Sequence, residues 1–166
     1  MCIILGEKED ADVEILRLAA LFHDTGRIEE LKTAKDHSLV SMEIAKEFLS
    51  KKGLSGDKIN RILYCIRSHR FKTKIEPKTL EAKILADADK LDAMGVIGLV
   101  RTAIYSGEIK RDIKGIIEHI NNKLLLLKDL IKTASAKKIA EHRRNILKNI
   151  LDELLLELQN KDIELY

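Results

Sequence analysis

The chain has 166 residues, of which 45% are hydrophobic and 34% are charged, and these proportions predict one compact globular domain with a single core. The formal net charge is only +3, the two signs alternate along the sequence and 4% of the residues are aromatic, which argues against a nucleic-acid-binding protein. No apolar run approaches the roughly 20 residues that cross a bilayer, and residues 1–6 lack the basic start of a signal peptide, so we expect a soluble, cytoplasmic protein that does not bind membranes.

The first half of the chain has the pattern of helices. Apolar residues recur at intervals of three and four, alternating strand patterns are absent and Pro77 is the only proline, so we predict an all-helical fold. A first helix is expected over residues 10–24, ending at Gly26 in the left-handed conformation that suits glycine. A second is expected over residues 33–52, where Asp36 stands three positions after the first residue, in the spacing of a capping box.

The middle of the chain predicts two more helices and a bend. A third helix is expected over residues 55–69, followed by a polar connection over residues 70–76. Proline is tolerated in a first helical turn, so we expect the next helix over residues 77–91. The helical pattern should then break or bend at Gly95 or Gly98.

The last third of the chain predicts a short segment over residues 101–106 and then two long antiparallel helices over residues 112–132 and 135–160. Contact between these two helices would hide two clusters of leucines. Runs this apolar exceed what one helix face needs, so the pattern also leaves open a homodimer through the C-terminal helices. The leucine clusters occupy residues 124–127 and 154–156.

His23 and Asp24 stand side by side at the end of an apolar helical segment. Neighbours on a helix point about 100° apart, so both side chains reach one ion only where the helix ends, and Gly26 provides such an end. The alternative is a helix-terminal histidine favoured by the helix dipole, followed by an aspartate that forms a turn.

A second candidate group is the acidic segment formed by Asp87, Asp89 and Asp92. Asp89 and Asp92 share a helix face, Asp87 lies roughly opposite, and three carboxylates so close would repel one another without a cation or a basic partner. The alternative is a solvated acidic face with Lys90 as an ion-pair partner. An imidazole and carboxylates from separate helices form a ligand set for a divalent transition metal, which generates hydroxide near neutral pH. We therefore predict a metal-dependent hydrolase.

Taken together, these segments resemble the HD-domain metal-dependent phosphohydrolases, and among them the small stand-alone prokaryotic members that act on nucleotides. The resemblance extends over nearly the whole chain, and its most specific stretch is residues 85–98. It implies a single HD-type helical bundle of about six to eight helices over residues 1–166. The other stretches that carry it are residues 18–26, 36–41, 66–71, 77–83, 119–128 and 140–144.

By this resemblance the metal ligands would be His23, Asp24 and Asp89. The family's fourth ligand is a histidine on the preceding helix, and no histidine occurs between Met1 and Phe22. We therefore expect the sequence to begin inside the family's first helix. Either the native start lies upstream and restores this histidine, or the chain is a catalytically impaired module that binds a nucleotide or a protein partner.

Two further histidines and one carboxylate are candidates for the same site. The order of histidines and aspartates in this chain resembles the ligand order of two-metal members of the superfamily, which is His, His-Asp, His, His, Asp. His37 and His69 are therefore the next residues to consider. A helix start disfavours a cation, so His37 suits a neutral imidazole that binds a metal or donates to phosphate. His69 is either a substrate-binding residue or a core-edge histidine, and Asp36 is either a turn carboxylate or a general acid/base. We assign proton transfer to Asp36 or His37, and Asp24 is the third predicted catalytic residue.

The predicted substrate is a nucleotide or another small phosphorylated compound, in which a phosphate ester or anhydride bond is hydrolysed. Lys90 and Arg101 are the candidate phosphate-binding residues, since charge grows on the phosphoryl oxygens during transfer. Manganese, cobalt, nickel, iron or zinc suits histidine and carboxylate ligands, whereas magnesium is less suitable because nitrogen binds it poorly.

Overall fold

The structure, a computed structural model, describes residues 1–70 and 73–165. Residue 71, which closes one of the stretches that carry the family resemblance, therefore lies outside the described residues. All regular secondary structure in the described ranges is helical, which confirms the predicted all-α fold. None of the helices in these ranges is both long enough and apolar enough to span a membrane.

The chain forms two compact units. The first contains Met1–Asp89 together with Lys132–Ser135, and the second contains Lys90–Ile131 together with the chain from Ala136 onward.

The first unit is built from five complete helices and most of a sixth. Helix α2 packs against α1, α4 and α5, while α4 also packs against α3 and α5. Fully buried aliphatic side chains from these helices form the core, among them Ile15, Leu16, Leu49, Ile62 and Ile66. The helices are α1 (Cys2–Lys8), α2 (Val13–Phe22), α3 (Arg27–Thr33), α4 (His37–Lys51), α5 (Gly56–Ser68) and α6 (Leu80–Asp92), the last belonging to this unit up to Asp89.

Polar side chains fix the starts of three of these helices. Asp12, Asp36 and Ser55 each accept a hydrogen bond from a backbone N–H in the first turn of α2, α4 and α5. The capping box predicted from Thr33 is wrong, because Thr33 ends α3 and Asp36 is itself the N-cap of α4. The sequence pattern also did not predict the seven-residue helices α1 and α3, and α6 begins three residues after Pro77.

Gly26 does not adopt the predicted left-handed conformation; its φ is −83° and its ψ is 0°. It is the N-cap of α3, and its backbone N–H donates to the Ser41 hydroxyl at 2.9 Å. A Cβ atom at this position would lie 2.5 Å from the His37 carbonyl oxygen and 2.8 Å from the Val40 Cβ. The glycine is therefore required by the close approach of the chain to α4, and this approach places Asp24 beside His37.

The second unit contains α7, α8, most of α9 and two 3₁₀ helices. The single helix predicted over residues 112–132 is wrong: α8 ends at Asn122, and Lys123 leaves helical geometry with φ −134° and ψ −62°. The predicted break after the acidic segment is confirmed, since α7 begins at Gly95 with φ +75°. These elements are α7 (Gly95–Glu108), α8 (Ile113–Asn122), α9 (Ala134–Leu158, from Ala136 in this unit) and the 3₁₀ helices Leu124–Leu130 and Asp162–Leu165.

In the second unit, the start of α8 lies beside the second half of α9, and the 3₁₀ helix that follows α8 contacts the first half, as the predicted antiparallel pairing requires. Lys128 bonds Glu141 in the first half of α9 at 2.5 Å, whereas Ile113 and Leu154 line one cavity of about 480 Å³. The leucine clusters are hidden only in part. Leu124 is buried, but Leu126 is 53% exposed.

Candidate metal centre

Three polar side chains from different parts of the first unit meet at the end of α2. The Asp24 Oδ1 atom lies 3.3 Å from His37 Nε2 and 3.8 Å from His69 Nε2, and the two nitrogens are 3.5 Å apart. Ligand bonds of about 2.1 Å place tetrahedral donor atoms about 3.4 Å apart, so these separations match the ligand shell of one transition-metal ion. Asp24, His37 and His69 therefore form a candidate site for a divalent metal.

The protonation of the histidines supports this interpretation. In His23, His37 and His69, the Nδ1 atom lies within hydrogen-bond distance of an oxygen that can only accept. These contacts are shorter than the contacts of the Nε2 atoms with Asp24 and so favour a proton on Nδ1, which in a neutral ring leaves a lone pair on Nε2. The Nδ1 contacts are 2.7 Å from His23 to the Ala20 carbonyl, 2.8 Å from His37 to the Glu30 carboxylate and 2.6 Å from His69 to the Ile66 carbonyl.

This arrangement brings several hydrogen-bond acceptors together without a donor between them. The Nε2 atoms of His37 and His69 face each other and the Asp24 carboxylate, and both histidines are at most 2% exposed. Burying lone pairs against a carboxylate without a donor or a cation is unfavourable. The donor set therefore fits a metal ion, since nitrogen and carboxylate ligands are the set that first-row transition metals prefer.

His69 is held neutral by its surroundings. Burial lowers the pKa of His69, and the nearby His23 acts in the same direction, although the hydrogen bond to Ile66 and the charges of Asp89 and Asp24 oppose this. A neutral imidazole is the form that binds a metal. The core-edge position considered from the sequence is correct for His69, but its Nε2 atom points at Asp24 and His37.

The three residues predicted as metal ligands all lie around His69. The His23 ring meets the His69 ring edge-on with the centroids 5.1 Å apart, and His23 Nε2 is 3.6 Å from Asp24 Oδ2. Asp89 is half-buried on α6, close enough for its charge to act on His69. That His23, Asp24 and Asp89 together bind one ion stays a prediction.

The other two carboxylates of the acidic segment have separate partners. Asp87 is fully buried and accepts hydrogen bonds from the backbone N–H groups of Lys132 and Thr133 and from the Thr133 hydroxyl. Asp92 pairs with the Arg101 guanidinium in the second unit. Asp87 is therefore not part of a solvated acidic face, whereas the charge of Asp89 acts on His69.

A network of charges surrounds His37 on the side away from Asp24. Arg70 contacts Glu30 Oε1 at 2.7 Å and Asp36 Oδ1 at 2.9 Å, and Arg67 contacts Asp36 Oδ2 at 3.2 Å. Glu30, Asp36 and His37 could also hold a cation. Since the Arg70 guanidinium already lies against both carboxylates, it supplies the positive charge there.

Asp36 has the contacts of a structural carboxylate. Burial by itself would raise its pKa, but hydrogen bonds from Ser38 and Arg70 hold the pKa of Asp36 well below the usual range. A carboxylate held so firmly in its ionised form is a weak general base. The contacts favour the turn-carboxylate role, and proton transfer by Asp36 stays a prediction.

The predicted phosphate-binding residues lie in the second unit. The Arg101 side chain is 60% exposed and pairs with Asp92 on the surface, while Lys90 is half-buried on α6. Their binding to a substrate stays a prediction. Sequence reasoning missed Glu30, Arg67 and Arg70, because no helical period relates them to the histidine that they surround.

The fold and the His-Asp group define a member of the HD-domain family. The model of the HD domain matches residues 1–94, which is more than half of the chain, and the chain therefore belongs to this family. The matched residues include Asp24, His37, His69 and Asp89.

Individual relatives are similar over most of their length. YpgQ of Bacillus subtilis is 30% identical to this chain, over 96% of this chain and 80% of the YpgQ chain. The crystal structure of YpgQ in complex with ADP has a TM-score of 0.75 and covers 92% of this chain and 81% of YpgQ. The Lin1889 protein from Listeria innocua is 30% identical with a TM-score of 0.78, covering 95% of this chain and 82% of Lin1889. An HD-superfamily hydrolase from Bacillus thuringiensis is 29% identical with a TM-score of 0.78, covering 96% of this chain and 81% of its own.

Proposed function

We propose that this chain is a metal-dependent phosphohydrolase that cleaves a phosphate ester or anhydride bond of a nucleotide. The observation that carries the proposal is the convergence of Asp24 Oδ1 with the Nε2 atoms of His37 and His69 within 3.8 Å. The similarity to an HD-superfamily hydrolase from Bacillus thuringiensis supports hydrolytic chemistry.

Asp24 belongs both to the ligand set implied by the family resemblance and to the group that it forms with His37 and His69. We propose His23, Asp24 and Asp89 as metal ligands, with His37 and His69 presenting further nitrogens to the same carboxylate. A bound manganese, cobalt, nickel, iron or zinc ion would polarise a phosphoryl oxygen and lower the pKa of a bound water to about 7. Magnesium suits this nitrogen-rich set less well.

The remaining roles belong to side chains of this chain. His37, with its proton on Nδ1, offers Nε2 as a proton acceptor beside Asp24. His69 is neutral near pH 7 because burial lowers its pKa, so it can bind metal or accept a hydrogen bond from the substrate. Lys90 and Arg101 would neutralise charge on the phosphate oxygens.

A nucleotide is the proposed substrate because YpgQ has been crystallised in complex with ADP and is similar to this chain over nearly its whole length. ADP combines a nucleoside, a phosphate ester and a phosphoanhydride, so either type of bond is a candidate for cleavage. The released product, phosphate or pyrophosphate, identifies the bond that is cleaved.

A homodimer through the C-terminal helices stays a proposal as well. Leu155 and Leu158 of α9 are 36% and 50% exposed, which leaves apolar surface for a second copy. Sedimentation velocity across a range of protein concentrations tests this assembly.

The function is tested by measuring phosphate and pyrophosphate release from nucleoside mono-, di- and triphosphates with added Mn²⁺ or Co²⁺. We expect metal-dependent turnover that Asp89→Ala removes, together with the bound metal measured by elemental analysis. Asp152→Ala, at an exposed position of α9, is the control and should retain both. Nucleotide binding with no product release under any of these metals would refute the hydrolase proposal in favour of a binding module.

A further inference from the structure

We propose that Glu30 is a positioning residue of the metal centre. It holds the His37 imidazole with its proton on Nδ1, so that the unprotonated Nε2 faces Asp24 and His69. Its importance for metal binding rests on the proposed function, whereas its effect on the imidazole follows from the contacts alone. Glu30 lies on α3, outside the group of candidate ligands around Asp24.

The contact between Glu30 and His37 is short, and it is buried on the side of the imidazole. Glu30 Oε2 lies 2.8 Å from His37 Nδ1, and His37 is fully buried. A carboxylate can only accept, so Nδ1 must donate. The Nε2 atom faces a second carboxylate, that of Asp24, at the longer distance of 3.3 Å, so the closer contact with Glu30 favours the proton on Nδ1.

The alternative tautomer would close the site. His37 Nε2 lies 3.3 Å from Asp24 Oδ1, so a proton on Nε2 would be donated to the Asp24 carboxylate. That hydrogen bond would occupy the lone pair and the carboxylate oxygen that are needed for a metal. Glu30 therefore keeps both atoms available by giving the imidazole proton a stronger acceptor on the other side of the ring.

Arg70 fixes the Glu30 carboxylate in this role. It donates to Glu30 Oε1 at 2.7 Å while Oε2 faces His37, so each carboxylate oxygen has its own donor. Arg70 is in turn held by Asp36 at 2.9 Å. Burial would raise the pKa of Glu30, but the hydrogen bond from His37 and the charge of Arg70 outweigh this and lower it, so the acceptor remains ionised.

The substitution Glu30→Gln tests the proposal with almost no change in shape. An amide has one acceptor oxygen, and the charged Arg70 competes for it more strongly than His37 does. The amide NH₂ group would then face Nδ1 and donate to it, which moves the imidazole proton to Nε2. Glu29→Gln, one residue earlier on the same helix, is the matched control.

The first measurement is ¹H–¹⁵N NMR of the histidine rings in metal-free protein, at a pH where they are neutral. We expect the His37 proton on Nδ1 in the wild type and in Glu29→Gln, and on Nε2 in Glu30→Gln. The second measurement is Co²⁺ titration, in which Glu30→Gln should bind about 10- to 100-fold more weakly than the wild type. Glu30→Ala, which also removes the acceptor, should weaken Co²⁺ binding to a similar extent.

The proposal is overturned if Glu30→Gln and Glu30→Ala keep the proton on Nδ1 and the Co²⁺ affinity of the wild type. This result is distinguishable from a failure of the proposed function. If the Glu30 variants shift the proton and weaken Co²⁺ binding while no nucleotide is hydrolysed, the positioning role stands and the phosphohydrolase proposal fails.

Discussion

The surroundings of His37 and the junction of α6 with α7, where Asp92 and Arg101 lie, contain similar types of charged and polar residues. The side chains of the two regions differ in burial. Around His37, the two imidazoles are at most 2% exposed, and each has a defined partner at Nδ1. Asp92, the last residue of α6, and Arg101 of α7 form an ion pair in which both side chains are more than half exposed. Burial with specific partners, rather than residue type, therefore distinguishes a candidate site from a solvated surface.

The largest effect is expected from Asp24→Asn, which removes the charge that all three histidines face. Metal-dependent product release should fall by more than about 100-fold, since losing a ligand exceeds the 10- to 100-fold cost of losing an outer partner. Initial rates at saturating Mn²⁺ measure this, with Asp152→Asn as the control. Retained activity would show that the buried group around Asp24 is not the reacting centre.

Asp87→Ala should be the most destabilising of the substitutions considered. It leaves the backbone N–H groups of Lys132 and Thr133 without their acceptor, and we expect a loss of about 3 kcal/mol in the free energy of unfolding. Urea denaturation measures the change. A loss below about 1 kcal/mol would show that solvent replaces these bonds, contrary to the burial of Asp87.

Gly26→Ala tests whether close packing sets the position of Asp24. The added methyl would meet the His37 carbonyl oxygen and Val40, and overpacking of this kind costs about 1–3 kcal/mol. Thermal unfolding and Co²⁺ titration should both change, because α3 must shift away from α4. Gly56→Ala is the control, since nothing lies within 4 Å of a Cβ at that position. Equal behaviour of the two variants would contradict the packing argument.

The smallest effect is expected in the exposed region. Asp92→Ala should change the free energy of unfolding by less than about 1 kcal/mol, because an exposed ion pair contributes little. Urea denaturation at low and high salt is the measurement. A larger, salt-sensitive loss would place this pair with the buried groups around His37 and weaken the contrast between the two regions.

Local signals in the sequence were sufficient for several elements. The predicted helix over residues 55–69 matches α5, since Ser55 provides its cap and the buried residues Ile59, Ile62 and Ile66 recur at helical intervals. The all-α class followed from the same periodicity along the rest of the chain. His23 and Asp24 were identified by their place at the end of an apolar helix, which is where the structure has them.

Contacts between distant residues could not be predicted in the same way. Helix α3 has no buried residue, and its apolar side chains Ile28 and Leu31 are exposed, so its position depends on contact with α4 and not on a buried apolar face. The bond from Arg70 to Asp36 joins positions 34 residues apart, and no sequence period relates them. The partners of Asp87 lie 45 and 46 positions further along the chain, so its burial had no local signal.

The bonds from Asp87 to Lys132 and Thr133 also concern chain connectivity. The polypeptide leaves the first unit after Asp89 and re-enters it at Lys132. The Asp87 carboxylate, just before the point of exit, accepts hydrogen bonds from Lys132 and Thr133 at the point of re-entry. Residues 90–131 thus leave and re-enter the first unit at neighbouring positions, and exposed turns within such a segment tolerate changes of length. Lengthening the exposed turn at residues 109 and 110, between α7 and α8, is therefore expected to leave Co²⁺ binding by Asp24 and its histidines unchanged.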